Sequence, residues 1–220
     1  MASPSVQLRE QVQAVLGSRC EAAFAMKTKD KETIPSVVGD VPRGALTEIV
    51  GPVSSGRTSV LFSLLATMSG KQEFCALLDV ADSFDPASAE AAGVRLSQVL
   101  WIRCGGNVEN ALKAADMLVQ AGGFGLIAFD LGDTPIKSVH RISLASWFRL
   151  RHAVENTRAL LIVIAQQSHA QSCASLKIDL QPARTIWRGW LPGCILNGLQ
   201  AVAQCIRDHR AQEQQFVIAR

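Results

Sequence analysis

The residues best placed to do chemistry are Gly51-Pro52-Val53-Ser54-Ser55-Gly56-Arg57-Thr58-Ser59, set between an apolar strand and an apolar helix. Their spacing is that of a phosphate-binding loop, GxxxxGK[ST], with arginine where lysine is expected. Gly51 and Gly56 permit the tight curve that turns successive backbone N–H groups into one anion-sized cradle. The start of the following helix adds its partial positive charge. Pro52, Ser54, Ser55 and Ser59 complete the loop, and Thr58 offers a hydroxyl to the shell of a bound Mg²⁺. Arg57 would reach the β- and γ-phosphates of a nucleotide as a planar fork rather than a compact ammonium. Asp130, closing the apolar run LIAFD, stands where an aspartate would orient the same metal and its waters. The expected ligands are therefore ATP and Mg²⁺. Two plainer readings stand beside this one: a tight strand–helix turn that holds nothing, and an Asp130 that only caps a turn.

These residues need elements to position them. Ala45 to Val50 (ALTEIV) reads as a strand leading into the loop, and Thr58 to Met68 as the helix leaving it. Phe74 to Asp79, Val99 to Ile102, Leu126 to Asp130 and Leu160 to Ala165 are further short apolar runs that read as buried strands. Between them lie a helix from Pro86 to Ala92 with proline in its first turn, a helix capped by Asn107 and ended by Gly122-Gly123, and one long amphipathic helix from Ser138 to Glu155. Apolar strands alternating with helices predict an α/β fold, a mostly parallel sheet with helices on both faces. From Ser175 the texture changes, and Leu176 to Leu180, Thr185 to Trp187, Gln200 to Ile206 and Gln215 to Ala219 read as shorter strands that extend the sheet antiparallel. Residues 1–33 read as an N-terminal helix (Val6 to Leu16) with a charged linker, and 34–220 as the core domain.

The quoted runs carry a family resemblance. GALTEIVGPVSSGRTS resembles the start of the RecA recombinase core, including the proline and paired serines inside the loop. CALLDVADSFDPASAEAAGVRLSQVLWIR and NALKAADMLVQAGGFGLIAFD resemble the next two blocks, and ALLIVIAQ resembles the strand ending in that family's nucleotide-sensing glutamine, here Gln166 or its neighbour Gln167. The resemblance runs from about Gly44 to Leu180 and implies a RecA-like P-loop core. It also exposes departures. The family's catalytic glutamate lies two residues after a strand-end aspartate, and counting from Asp79 puts Ala81 there. Asp82 is the adjacent candidate, although a one-residue shift at a strand end turns the side chain to the other face. The DNA-gripping loops after Asp130 and after Gln166 are both shortened.

A scaffold kept while the lysine, the glutamate and the DNA loops are altered is similar to the RecA-like accessory group of the bacterial mutagenic translesion complex, ImuA, with SulA-like proteins. LKIDLQPARTIWRGW and LNGLQAVAQCIRDHR resemble that group's ending. The resemblance implies a role in SOS-induced repair beside a Y-family-like polymerase homologue, an error-prone replicative polymerase subunit and RecA itself. It further implies weak or no ATP hydrolysis. An active DNA-dependent ATPase and a nucleotide-free interaction module are the alternatives.

Composition sets the outer bounds. Of 220 residues 48% are hydrophobic and 19% charged, which excludes a disordered chain. Six cysteines without a CxxC pair suit free thiols in a reducing, cytoplasmic setting. No apolar run approaches the ~20 residues of a membrane span. Trp187 and Trp190, with Arg184 and Arg188, read as a stacking surface for single-stranded DNA, as an anchor for a protein partner, or as tryptophans closing the core. Arg141, Arg149, Arg151, His152 and Arg158 read as a basic strip or a solvated helix face. The N-terminal helix is a candidate for self-association.

Overall fold

The computed structural model describes residues 32–190, 193–207 and 210–219. The expected helix from Val6 to Leu16 lies outside them. A two-residue hairpin, β1 (Thr33–Ile34) and β2 (Val41–Pro42), leads in, followed by β3 (Ala45–Val50), α1 (Arg57–Gly70), β4 (Cys75–Asp79), α2 (Pro86–Ala91) and β5 (Val99–Arg103). Then come α3 (Val108–Ala121), β6 (Leu126–Asp130), α4 (Ile136–Val139), α5 (Leu144–Glu155), β7 (Leu160–Ala165), β8 (Leu176–Arg188), β9 (Ile195–Arg207) and β10 (Arg210–Ala219).

One eight-stranded sheet has the order β10-β9-β8-β3-β7-β6-β4-β5. The six strands from β8 to β5 are parallel, and β9 and β10 are antiparallel additions. β3, β4 and β7 are buried along their whole length, as strands covered on both faces must be. Alternation within β3 divides the core. Leu46 and Val50 face a cluster with Phe129, Trp147 and Leu150 beneath α3 and α5. Ile49 faces Leu61, Leu64, Leu65 and Met68 of α1. The expected fold class therefore holds.

Local chemistry fixes the boundaries. Asp85 caps α2 by accepting from the Ser88 amide at 3.0 Å, with Pro86 at the first helical position. Asn107 caps α3 in the same way, accepting from the Asn110 amide at 2.9 Å. The long helix expected over 138–155 is instead two helices, because Ser143 serves as an N-cap, accepting from the Ser146 amide at 3.2 Å. A serine side chain that bonds a backbone amide favours a helix start over a helix interior.

The C-terminal half also differs from expectation. β8 is one strand from Leu176 to Arg188 rather than two, bulged between Pro182 and Arg184, and it runs parallel to β3 before β9 reverses direction. Proline cannot donate to a ladder, and a bulge accommodates it. The basic strip is offset by carboxylates: Arg149 pairs with Asp116, Arg151 and His152 with Glu155, and Arg158 with Glu32. Among the described residues no helix is long and apolar enough to cross a membrane.

Candidate functional site

The loop from Gly51 to Gly56 leaves β3 at the end of the sheet where the parallel strands finish. The Ser55 amide donates to the Pro52 carbonyl at 3.2 Å, closing a turn in which Ser54 takes a left-handed φ of 62°. Gly56 follows at φ 94° and begins α1, and the Val60 amide makes the first helical bond to its carbonyl at 3.0 Å. The preceding amides of the first turn have no intrahelical acceptor and face outward as anion donors. Gly51 has no alternative: a Cβ there would sit 2.5 Å from the Leu180 carbonyl oxygen and 2.5 Å from Ser55 Oγ. Ser55 is fully buried and its hydroxyl has no hydrogen-bond partner among the described residues. Pro52, Ser54 and Thr58 are exposed and Ser59 is half-buried.

Arg57 does not share that outward disposition. Its side chain is buried, 7% exposed, and Nη1 donates to the Gly132 carbonyl at 3.1 Å. Gln166 Nε2 donates to the same oxygen at 3.0 Å, while Gln167 is exposed. The Gly132 amide in turn donates to Asp130 Oδ1 at 2.8 Å. Three residues singled out from the sequence thus meet at the backbone of one residue, Gly132, that was not. Burial works against the Arg57 charge, and Asp133 and Asp130 work for it. Burial pushes the Asp130 carboxyl up to about 6, with the Gly132 amide acting in the opposite sense.

The strand-end aspartate Asp79 is buried and fully engaged. It accepts from the Ser83 amide (3.0 Å), the Phe84 amide (3.0 Å) and Trp101 Nε1 (3.1 Å). Ala81 follows with no group able to activate water. Asp82, the candidate for that role, has a left-handed φ of 62° and ion-pairs with Arg103 at the end of β5, the edge strand. Arg103 holds the Asp82 carboxyl below its usual range. Its carboxylate is committed to that partner rather than to the loop.

Glu48 was missed, although its signal is plain: a carboxylate in the middle of the apolar strand ALTEIV. It is fully buried and accepts from Ser168 Oγ (2.6 Å), the His169 amide (2.6 Å) and the Ala170 amide (2.9 Å). The short segment after β7 is thereby pinned to β3. His169 also meets His140 edge to face, ring centres 5.1 Å apart, joining it to the segment after β6.

The residues present fit a bound nucleoside phosphate in part. The curved loop, the outward amides of α1 and the exposed Thr58 suit a phosphate with Mg²⁺, and the orphaned Ser55 hydroxyl lies beneath them. Arg57 and Ala81 do not suit its hydrolysis.

A glycine loop between a strand and a helix, with Asp130 and Gln166 at the ends of neighbouring parallel strands, sits in a mostly parallel α/β domain. The chain belongs to the RecA family: the RecA N-terminal domain matches residues 27–139, just over half of it. Protein RecA of Rickettsia prowazekii (strain Madrid E) is 30% identical over 143 residues, 59% of this chain and 42% of the relative. Protein RecA of Borrelia hermsii (strain HS1 / DAH) is 39% identical over 93 residues, 42% of this chain and 26% of the relative. The chain thus matches less than half the length of these relatives.

Proposed function

We propose that this chain is a RecA-family accessory protein of DNA repair that keeps the nucleotide-loop scaffold and has given up efficient hydrolysis. The observation that carries this reading is the convergence of Arg57 and Gln166 on the Gly132 carbonyl. A side chain that should stabilise charge on a leaving phosphate is spent on holding two loops together. With Ala81 in place of a carboxylate, general-base help worth about 10²–10⁴-fold is also missing.

When bound, ATP with Mg²⁺ would supply binding energy to the loop and order it. The backbone amides at Gly51 to Gly56 would hold phosphate, Thr58 and Asp130 would hold the metal, and Gln166 would tie the ligand's presence to the segment pinned by Glu48. The finer reading is an adaptor in SOS-induced, error-prone translesion synthesis. It would bind a Y-family-like polymerase homologue, an error-prone replicative polymerase subunit and RecA. The support is the combination of retained scaffold and altered working parts, together with the resemblance of the C-terminal segments to the ImuA group.

Co-purification of the tagged chain from damage-treated cells tests it. Recovery of polymerase components is the expected result. Their absence, with phosphate release stimulated by single-stranded DNA, would instead establish an active ATPase. Failure to bind nucleotide at millimolar concentration, with polymerase components still recovered, would leave a nucleotide-free module.

A further inference from the structure

β8 is far longer than the strand it lies against. It pairs with β3 only from Leu176 to Asp179, and Asp179 is level with Val50, where β3 ends. Leu180 to Arg188 continue past the parallel sheet, a reach of about 30 Å at ~3.3 Å per residue. The Leu180 carbonyl still lies against Gly51. Beyond it, no strand stands beside β8 on that side, and no backbone hydrogen bond joins that edge to another segment among the described residues. On the other side β9 runs antiparallel to β8 as far as Arg188, whereas the pairing of β10 with β9 stops at Gly198. The outer end is therefore a two-stranded ribbon with one open edge.

Little covers this ribbon. Every residue from Gln181 to Trp190 is exposed except Ile186, which is half-buried. Among the large hydrophobic side chains that are exposed, Trp187, Trp190, Ile195 and Leu196 lie on it. Two strands without a core beneath them are marginal in water, and a third strand is what stabilises them. Register sorts the side chains by face. Thr185 and Trp187 share one face with Leu196 and Leu199, and Arg184 and Arg188 share the other with Gln200 and Ile195. The Trp187 indole N–H donates to Thr185 Oγ1 at 3.0 Å, which leaves the ring as an apolar plate with its polar atom already satisfied. Between Asp179 and Asp208 the sequence contains no acidic residue, and its charged residues are Arg184, Arg188 and Arg207.

We propose that the open edge of β8 from Gln181 to Arg188 docks an extended peptide of a partner protein, added as a strand and built of apolar residues alternating with acidic ones. An open edge presents a row of backbone N–H and C=O groups, and an added strand completes the ladder with its own. That strand would follow the line β3 would take if it continued past Val50. Side chains of a strand alternate between faces. One set therefore meets Thr185 and Trp187, which favours apolar residues, and the other meets Arg184 and Arg188, which favours carboxylates. Charge complementarity selects among occupants. A second copy of β8 laid on this edge would put arginines on the same face as arginines, and a basic peptide would do the same. A nucleic acid offers phosphates to the arginines but no alternating donors and acceptors to complete the ladder. The inference stands on the ribbon alone and needs neither the translesion reading nor a bound nucleotide.

The test is fluorescence anisotropy of a labelled peptide of alternating leucine and aspartate, titrated with the full chain without ATP. Saturable, salt-sensitive binding is expected, and none by the same peptide with lysine in place of aspartate. Two further peptides carry N-methyl groups, one on every leucine and the other on every aspartate. Successive amides of a strand point to opposite edges, so one of these should lose binding and the other keep it. Arg184→Gln/Arg188→Gln, at two exposed positions, should weaken the aspartate peptide about 2- to 30-fold by removing two cross-strand charge pairs. Hydrogen exchange of the unsubstituted chain should slow within residues 181–188 when the peptide is added, a readout that needs no variant. No saturable binding at millimolar peptide overturns the proposal. So does equal behaviour of the two N-methylated peptides, or binding that leaves exchange in 181–188 unchanged. Binding of labelled (dT)20 with none of the peptide would overturn it too, and would mark the ribbon as a nucleic-acid surface.

Discussion

Replacing Arg57 by lysine restores the usual loop residue, and it should make the protein less stable while making it a better nucleotide binder. The buried Arg57 guanidinium donates to the Gly132 carbonyl at 3.1 Å. A hydrogen bond from a charged donor contributes about 1.5–3 kcal/mol. For a domain of this size each kcal/mol corresponds to roughly 2–4 °C, so Arg57→Lys should lower the thermal midpoint by roughly 3–12 °C in the absence of nucleotide. The ammonium, released from Gly132, can turn to the phosphates. Where the original chain must break that bond to free the side chain, the variant need not, and the same free energy returns as roughly 10- to 150-fold tighter binding of Mg-ATP. Arg57→Met separates the two effects, because it loses the bond to Gly132 and brings no ammonium: it should lose stability without gaining affinity. Differential scanning calorimetry and titration with a fluorescent ATP analogue give both quantities. A lysine variant with unchanged midpoint and unchanged or weaker affinity would refute the reasoning, since Arg57 would then be neither a tie nor an obstacle.

The other predictions follow from the same contacts. Adding Ala81→Glu to Arg57→Lys should raise phosphate release at least 100-fold over Arg57→Lys alone, measured at saturating Mg-ATP. Glu48→Ala leaves the part-buried His169 amide and the buried Ala170 amide without their acceptor, and at about 1–3 kcal/mol for each it should cost up to several kcal/mol. Hydrogen exchange should quicken first in residues 166–175. Gly51→Ala places a methyl 2.5 Å from the Leu180 carbonyl and should cost about 1–3 kcal/mol by overpacking, read as a lower urea midpoint. Asp130 titrates at about 6 in the folded chain and near 3.9 when unfolded. The native state therefore binds more protons between those values, and the penalty on folding is fully present above about pH 6 and fades as the pH falls toward 4. Asp130→Asn keeps an acceptor for the Gly132 amide without the charge. It should be more stable than the original chain by about 2 kcal/mol at pH 7.5, with the gap closing by pH 4.5; a gap independent of pH would contradict the assignment.

The parallel core was legible because its strands are apolar throughout and its punctuation is chemical. Asn107, Asp85-Pro86 and Gly122 stop and start elements where the periodicity says they should, and β3, β6 and β7 keep their expected bounds. The break between α4 and α5 was hidden because apolar spacing continues across it, and only the side-chain bond of Ser143 decides for a new start. β8 looked like two strands because proline and a bulge interrupt its alternation, and its parallel start follows from pairing with β3, a long-range choice that no local run of residues encodes. In the site, spacing, with the family resemblance beside it, singled out Gly51, Gly56, Thr58, Asp130 and Gln166. It could not find the Gly132 carbonyl, a backbone atom whose importance lies in what converges on it. Nor could spacing give the direction of Arg57: the same residue in the same motif can point outward to phosphate or inward to a neighbouring loop. Trp187 and Trp190 were ambiguous between core and surface, and exposures of 58% and 92% resolve them as surface, not as tryptophans closing the core.

The central claim is that this RecA-family scaffold has surrendered hydrolysis at Arg57 and Ala81. Steady-state phosphate release with saturating Mg-ATP and single-stranded DNA tests it most directly, with Thr58→Ala as the background. The account predicts release by the original chain that matches the Thr58→Ala background. Clear turnover stimulated by DNA and abolished by Thr58→Ala would contradict it.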